Sequence, residues 1–108
     1  MIYEYRSYTV LPGRMEALQN RFRDHTLSLF KRHKIRLIGC FTPVIADASD
    51  RFIFILEFDS LAHRESAWAA FGSDPEWIKA LEDSHKDGMI VQSVENKILA
   101  PTDFSPLK

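Results

Sequence analysis

The stretch EFDSLAHRESAWAAFGSDPEW, residues 57–77, decides how the second half of the chain folds. It begins at the end of a strand, continues through one helix, and contains the start of a second helix at residues 74–77, Asp-Pro-Glu-Trp. Asp is a good N-cap, Pro is favoured at the first helical position, and Glu suits the positive end of the helix dipole. The stretch holds no catalytic motif, so it indicates architecture rather than chemistry.

The pattern of apolar residues around this stretch predicts four strands and two helical regions. Aromatic and β-branched runs predict strands over residues 2–10, 35–46, 51–58 and 89–99. Apolar residues at helical spacing predict an amphipathic first helix over residues 14–33, packed on the sheet. Its charged residues lie on the other, solvent-facing side: Arg14, Arg21, Asp24, Lys31 and Arg32. The order β-α-β-β-α-β belongs to the α+β class and is the split βαβ of the ferredoxin-like fold, in which both helices cover one face of a four-stranded antiparallel sheet.

The third predicted strand, RFIFILEF, is apolar on both faces. Its aromatic side chains alternate with Ile53 and Ile55, which lie on the opposite face. A strand that is apolar on both faces must be covered on both, and the helices cover only one. We therefore expect a second copy of the chain on the open sheet face, giving a homodimer with a two-sheet, barrel-like core.

Two residues of the second predicted strand carry expectations of their own. Pro43 cannot donate a hydrogen bond within a sheet, so this strand is expected at an edge or with a bulge. Cys40 is expected to be a small buried residue, because no helix N-terminus or neighbouring base would activate its thiol.

Length and composition predict a single globular domain over residues 1–108. Hydrophobic residues make up 45% and charged residues 27%, and the net charge is −1 with both signs well mixed. No basic stripe is present, which argues against a nucleic-acid partner. No apolar run is long enough for a membrane span, and residues 1–10 show a strand pattern rather than a signal peptide. With one cysteine, the sequence favours a cytoplasmic protein.

The residues at three places carry a family likeness. The start YEYRSY at residues 3–8, followed by Pro-Gly at 12–13, resembles the YExRxYxxxPG opening of NIPSNAP-domain proteins. The segments LAHRE at 61–65 and DPEW at 74–77 resemble the second-half signature of that family. This resemblance implies the dimeric α/β-barrel superfamily, which includes cofactor-free monooxygenases, haem-degrading enzymes and isomerases. It implies a fold more than an activity.

His25 is the sharpest candidate for chemistry. It falls on the apolar stripe that Leu18, Phe22 and Leu29 define on the first helix, so it is expected to face the sheet. A half-buried imidazole there could serve as a general acid or base for a ligand. The alternative is a histidine at the edge of the core, hydrogen-bonded to the backbone or to a sheet side chain.

Charged residues on the predicted central strand form a second candidate site. Glu4, Arg6 and Tyr8 alternate onto one face, and Glu57 lies on the neighbouring third strand. Arg6 could pair with either carboxylate, and such a pair beside a tyrosine could bind an anionic or enolic ligand. The alternative is a satisfied ion pair that sets strand register or dimer specificity.

Trp68, Phe71 and Trp77 could line a pocket for an aromatic ligand or could simply be core. No two of the four histidines have the i, i+4 spacing of a metal site, and the four glycines form no phosphate loop. We therefore expect neither a metal nor a cofactor.

Two functions remain open from the sequence. The first is a homodimeric module that binds a small apolar or aromatic compound without turnover. The second is a cofactor-independent monooxygenase or isomerase that acts on an aromatic or enolic substrate. The candidate catalytic residues are His25, Arg6 and Tyr8, and the candidate ligand-binding residues are Glu57, Trp68 and Phe71.

Overall fold

The computed structural model describes all residues from 1 to 108 and has the predicted order of elements. The first helical region runs without a break through three segments, the middle one a π-helical turn. In chain order, the elements are β1 (Ile2–Val10), α1 (Met15–Arg21), the π-helical turn (Phe22–Thr26), α2 (Leu27–Arg32), β2 (Arg36–Phe41), β3 (Arg51–Phe58), α3 (Leu61–Gly72), α4 (Pro75–Ser84) and β4 (Val91–Leu99). None of the helices has both the length and the apolar character needed to cross a membrane.

The four strands form one antiparallel sheet in the order β2-β3-β1-β4, which confirms the ferredoxin-like prediction. Strand β2 lies at an edge, as Pro43 predicted, but it ends at Phe41 rather than at residue 46. Pro43 has no N–H to donate, and the chain must turn back toward β3. The prediction that Cys40 is buried is wrong: the thiol is exposed, because β2 is an edge strand.

The burial of β3 alternates residue by residue, as its sequence predicted. Phe54, Leu56 and Phe58 are fully buried beneath the helices, whereas Ile53 and Ile55 are half-buried on the open face of the sheet. The helices contribute the other half of this core, with Leu18, Phe22, Leu29, Phe30, Ala67 and Phe71.

The predicted start of α4 is confirmed in detail. The Asp74 side chain accepts a hydrogen bond from the Glu76 N–H at 2.9 Å, and Pro75 is the first helical residue. The same carboxylate also accepts from Arg32 at 3.0 Å and lies 2.7 Å from a ring nitrogen of His33. Arg32 is the last residue of α2 and His33 follows it, so the Asp74 carboxylate links the end of α2 to the start of α4.

Candidate functional site

The Glu4 carboxylate on β1 is the fully buried centre of a hydrogen-bond network. Five donor contacts from four side chains surround its two oxygens, at 2.9 to 3.1 Å: Arg64 twice, and Trp68, Arg6 and Asn96 once each. We call these five residues the Glu4 cluster. Burial by itself would raise the pKa of Glu4, but the hydrogen bonds, with those from Arg64 the largest, lower it to about 2. Glu4 is therefore a carboxylate at neutral pH, with every position around it taken by a donor.

An open cavity of about 260 Å³ lies beside this cluster, between the sheet and the helices. We call it the aromatic pocket, because six of its ten lining residues carry aromatic rings. Phe71 is central to its wall, with its ring centroid 4.7 Å from that of Trp77 and 5.6 Å from that of Trp68. The lining residues are Arg6, Tyr8, Arg21, Phe22, Thr26, Phe30, Trp68, Phe71, Gly72 and Trp77.

Arg6 joins the Glu4 cluster to the aromatic pocket. Its Nη1 donates to Glu4, and its guanidinium carbon lies 4.7 Å from the ring centroid of Trp68 and 5.6 Å from that of Tyr8. A guanidinium over an aromatic face is attracted by the ring quadrupole. The Nε of Arg6 is buried and has no hydrogen-bond partner, so this residue still has a donor to offer.

Arg21 is a second buried cation at the pocket, with a fractional exposure of 7%. Its Nη1 donates to the Ser84 hydroxyl at 3.2 Å, its guanidinium carbon lies 5.4 Å from the Trp77 ring centroid, and its Nε has no partner. Burial lowers the pKa of this guanidinium, and no carboxylate forms a salt bridge with it. The nearby Asp83 pairs with Lys79 instead, at 2.7 Å. Arg21 is thus a buried charge without a counterion.

The structure brings together four of the six site residues predicted from the sequence. Arg6, Tyr8, Trp68 and Phe71 all line the aromatic pocket. Arg6 pairs with Glu4, which was one of the two partners that the sequence left open.

The prediction that Glu57 joins this group is wrong. In the antiparallel pairing Glu57 lies opposite Tyr3, so its side chain is on the open sheet face, away from Glu4 and Arg6. It accepts hydrogen bonds from Arg36 at 2.7 Å and from the Tyr3 hydroxyl at 3.0 Å, and the Arg36 bond is the main cause that lowers its pKa. Glu57 belongs to an ion pair that links β3 to β2.

The expectation that His25 faces a cavity between helix and sheet is also wrong. His25 is exposed, and the neighbouring Thr26 is buried in its place, with a fractional exposure of 4%. The cause is the π-helical turn, which holds more residues per turn than the 3.6 on which the sequence prediction rested. His25 lies instead beside a polar groove between α1 and α4, together with Asp24 and Asp83.

Sequence reasoning missed Arg21, because it assigned that residue to the charged, solvent-facing side of the first helix. Arg21 follows Leu18 by three residues and therefore borders the apolar stripe. A long side chain at such a border can place its stem along apolar surface and its charge in a cavity. The position of Arg21 at this border is the feature of the sequence that could have indicated a buried arginine.

The chemistry available in the pocket is stacking and hydrogen-bond donation. No group of three or more His, Cys, Asp or Glu residues is placed to hold a metal ion. The polar lining groups are two arginines, a tyrosine and a threonine. Arginine only donates, and the two hydroxyl groups can both donate and accept a hydrogen bond.

Comparison with known proteins agrees with this architecture. The chain is 26% identical to Protein NipSnap homolog 3B of Mus musculus over 99 residues. The matched region covers 92% of this chain and 39% of the mouse protein. It therefore spans about two fifths of the length of that relative. A NIPSNAP family protein from Agrobacterium tumefaciens, known from its crystal structure, is 31% identical, with a TM-score of 0.87 over 100% of this chain and 94% of the other.

A solved antibiotic biosynthesis monooxygenase is similar in fold alone. It is 11% identical, with a TM-score of 0.62 over 94% of this chain and 99% of the other. The family model described as NIPSNAP matches residues 3–106, nearly the whole chain. This protein therefore belongs to the NIPSNAP family.

Proposed function

We propose that this NIPSNAP protein is a homodimeric module that binds a small aromatic molecule in the aromatic pocket. The observation that carries the proposal is an open cavity of about 260 Å³ in which six of ten lining residues are aromatic. Pockets for drug-sized ligands measure about 300–1,000 Å³ and are lined mainly by apolar and aromatic side chains with a few polar groups. The volume suits a compound of one or two rings.

The polar groups of the pocket support binding rather than turnover. Proton abstraction from a substrate needs a base within hydrogen-bond reach. His25, the predicted base, lies outside the pocket, and Glu4 is saturated with donors and has a pKa of about 2. What remains is a set of donors and rings that can hold and orient a ligand.

The open face of the sheet supports the homodimer. The strand register places Phe41, Ile53, Ile55 and Tyr5 on the side away from the helices. Phe41 is 52% exposed in the single chain, and the two isoleucines are half-buried. A second copy packed on this face would bury these side chains, and a two-fold axis would bring the same patch from both chains together.

Tryptophan fluorescence tests the binding proposal, because both tryptophans of the chain, Trp68 and Trp77, line the pocket. We would titrate the protein with one- and two-ring aromatic compounds, both neutral and anionic, and expect a saturable change in emission. Gly72 lines the pocket and a Cβ added there meets no atom within 4 Å, so we expect Gly72→Leu to narrow the pocket. Ala70→Leu, at an exposed position on the same helix, is the matched control.

We expect Gly72→Leu to weaken binding and Ala70→Leu to leave it unchanged. The binding proposal fails if no compound in the panel gives a saturable change, or if both variants bind as the wild type does.

The fold shared with an antibiotic biosynthesis monooxygenase, together with Arg6 and Tyr8 on one cavity, favours a second candidate. Because the pocket lining offers no base, this candidate needs a substrate that binds already ionised. A guanidinium and a phenol could hold that electron-rich anion, which would itself react with oxygen. An oxygen electrode with 1,4-dihydroxynaphthalene tests this candidate. Oxygen uptake above the spontaneous rate would favour the monooxygenase. Oxygen uptake at the spontaneous rate would exclude turnover of this compound and favour the binding module.

A further inference from the structure

We infer that the ligand of the aromatic pocket is an aromatic anion, whose carboxylate or enolate oxygen is held by Arg21 and Arg6. This inference rests on the proposed function of the pocket and adds the charge of the ligand and the residues that recognise it.

Arg21 gives the strongest argument for a negatively charged ligand. It is more than nine-tenths buried, and it lines both the aromatic pocket and the polar groove between α1 and α4. The only hydrogen-bond partner of its guanidinium is the neutral hydroxyl of Ser84. A charge removed from water needs a counterion and satisfied donors, because its lost hydration is otherwise uncompensated. Here the counterion is absent and the Nε donor is free. A bound anion would supply both.

Arg6 repeats the arrangement on the same pocket. Its Nη1 is engaged by Glu4, but its Nε is buried without a partner. Glu4 must also satisfy Arg64, so two guanidinium groups share this one carboxylate. Planar guanidinium groups suit the geometry of carboxylate oxygens better than a point charge does.

The rings and the cations are arranged to act on one ligand. Arg6 lies over Trp68, Arg21 lies beside Trp77, and both indole rings contact Phe71. An aromatic compound could stack on this wall while its anionic oxygen meets the guanidinium groups. A cationic ligand would find no free carboxylate in the lining, because the one buried carboxylate nearby, Glu4, already accepts five hydrogen bonds.

Calorimetric titration with two compounds of the same shape tests whether the pocket prefers a negatively charged ligand. Naphthalene-2-carboxylate and naphthalene-2-carboxamide share one ring system and differ in the charge at the polar end. At pH 7 we expect the wild-type protein to bind the carboxylate at least about tenfold more tightly, the scale of one hydrogen bond between charged groups. This comparison needs no variant, so it does not depend on how a substitution affects folding.

The Arg21→Met variant tests whether Arg21 binds the negatively charged group of the ligand. Methionine replaces much of the apolar stem of arginine and carries no charge, so we expect roughly 10- to 100-fold weaker binding of the carboxylate and an unchanged affinity for the carboxamide. Arg23→Met is the matched control, because Arg23 is exposed on the same helical region and bonds only to Asn20. It should bind both compounds as the wild type does.

The outcomes separate the two proposals. Equal affinities of the wild type for the two compounds would overturn the inference of an anion and leave the aromatic pocket as a binding site. A carboxylate preference that survives Arg21→Met would overturn the assignment of Arg21. Failure of both compounds and of the wider aromatic panel to bind would overturn the proposed function itself.

Discussion

Replacing Glu4 with Gln removes the charge at the centre of the Glu4 cluster. The carboxylate accepts from Arg6, Arg64, Trp68 and Asn96. Glutamine keeps one acceptor oxygen, but its amide nitrogen donates and would face donors that point at it. The two guanidinium groups would also lose the carboxylate that they share. We therefore expect a large loss of stability from a change of one atom.

The lowered pKa of Glu4 sets the size of this loss. A fall from the ordinary value of 4.5 to about 2 corresponds to about 3 kcal/mol of stability at neutral pH. Breaking a buried ion pair by removing one partner costs about 3–5 kcal/mol, which is the same range. Because the pKa is lowered in the folded state, this stability is fully present above the unfolded-state value of 4.5 and is lost as the pH falls toward 2.

Urea unfolding followed by circular dichroism measures the effect, with every sample at one protein concentration because a dimer would make stability concentration-dependent. We expect Glu4→Gln to lower the unfolding free energy by about 3 kcal/mol at pH 7 and by only about 1.5 kcal/mol at pH 3. At pH 3 the Glu4 carboxyl is protonated in the unfolded wild type, so less of the stability from its lowered folded-state pKa remains. Glu82→Gln, at an exposed position on α4, should change the unfolding free energy by less than about 0.5 kcal/mol.

Either of two results would show that the buried Glu4 charge does not stabilise the fold to this extent. One is a loss at pH 7 below about 1 kcal/mol, the scale of an ordinary hydrogen bond. The other is an equal loss at pH 7 and pH 3, which would show that the Glu4 charge is not the source.

Three further predictions concern the dimer, the helix cap and the buried arginine. Ile55→Glu places a charge on the open sheet face and should give a monomeric mass in light scattering, whereas Ile78→Glu, at an exposed position on α4, should stay dimeric. A dimeric Ile55→Glu protein would count against the proposed interface. Asp74→Ala should lower the melting temperature by about 5 °C, and Asp74→Asn should lower it less because Asn also caps; equal shifts would mean that the cap contributes little. Arg21→Met should leave the urea unfolding free energy unchanged or raise it by about 1 kcal/mol, since it removes a buried charge without a counterion; a loss above about 2 kcal/mol would make Arg21 a structural residue.

The sequence predicted the parts of this molecule that depend on local patterns. The alternation in β3 separates Phe54 and Leu56 from Ile53 and Ile55 because side chains of a strand alternate between its faces. The cap at Asp74 needs only the residues that follow it. Both could be predicted without knowing how the elements pack.

The parts that failed depend on packing or on a change of helical period. The bond from Trp68 to Glu4 joins residues 64 positions apart, so no local pattern indicates it. A 3.6-residue period places His25 inside, whereas the π-helical turn places Thr26 there instead. The charge of Arg21 predicts a solvent-facing side chain, but its position beside the apolar stripe lets the long side chain reach the pocket.

Nuclear magnetic resonance tests most directly whether an aromatic anion binds in the pocket between sheet and helices. The chain has two tryptophans, both in the pocket wall, so a ¹⁵N-labelled sample gives two indole N–H resonances that report on that wall. We predict that both move with naphthalene-2-carboxylate along one saturable curve. Indole resonances that stay in place while the compound shifts backbone amides elsewhere, or shifts none, would contradict the account.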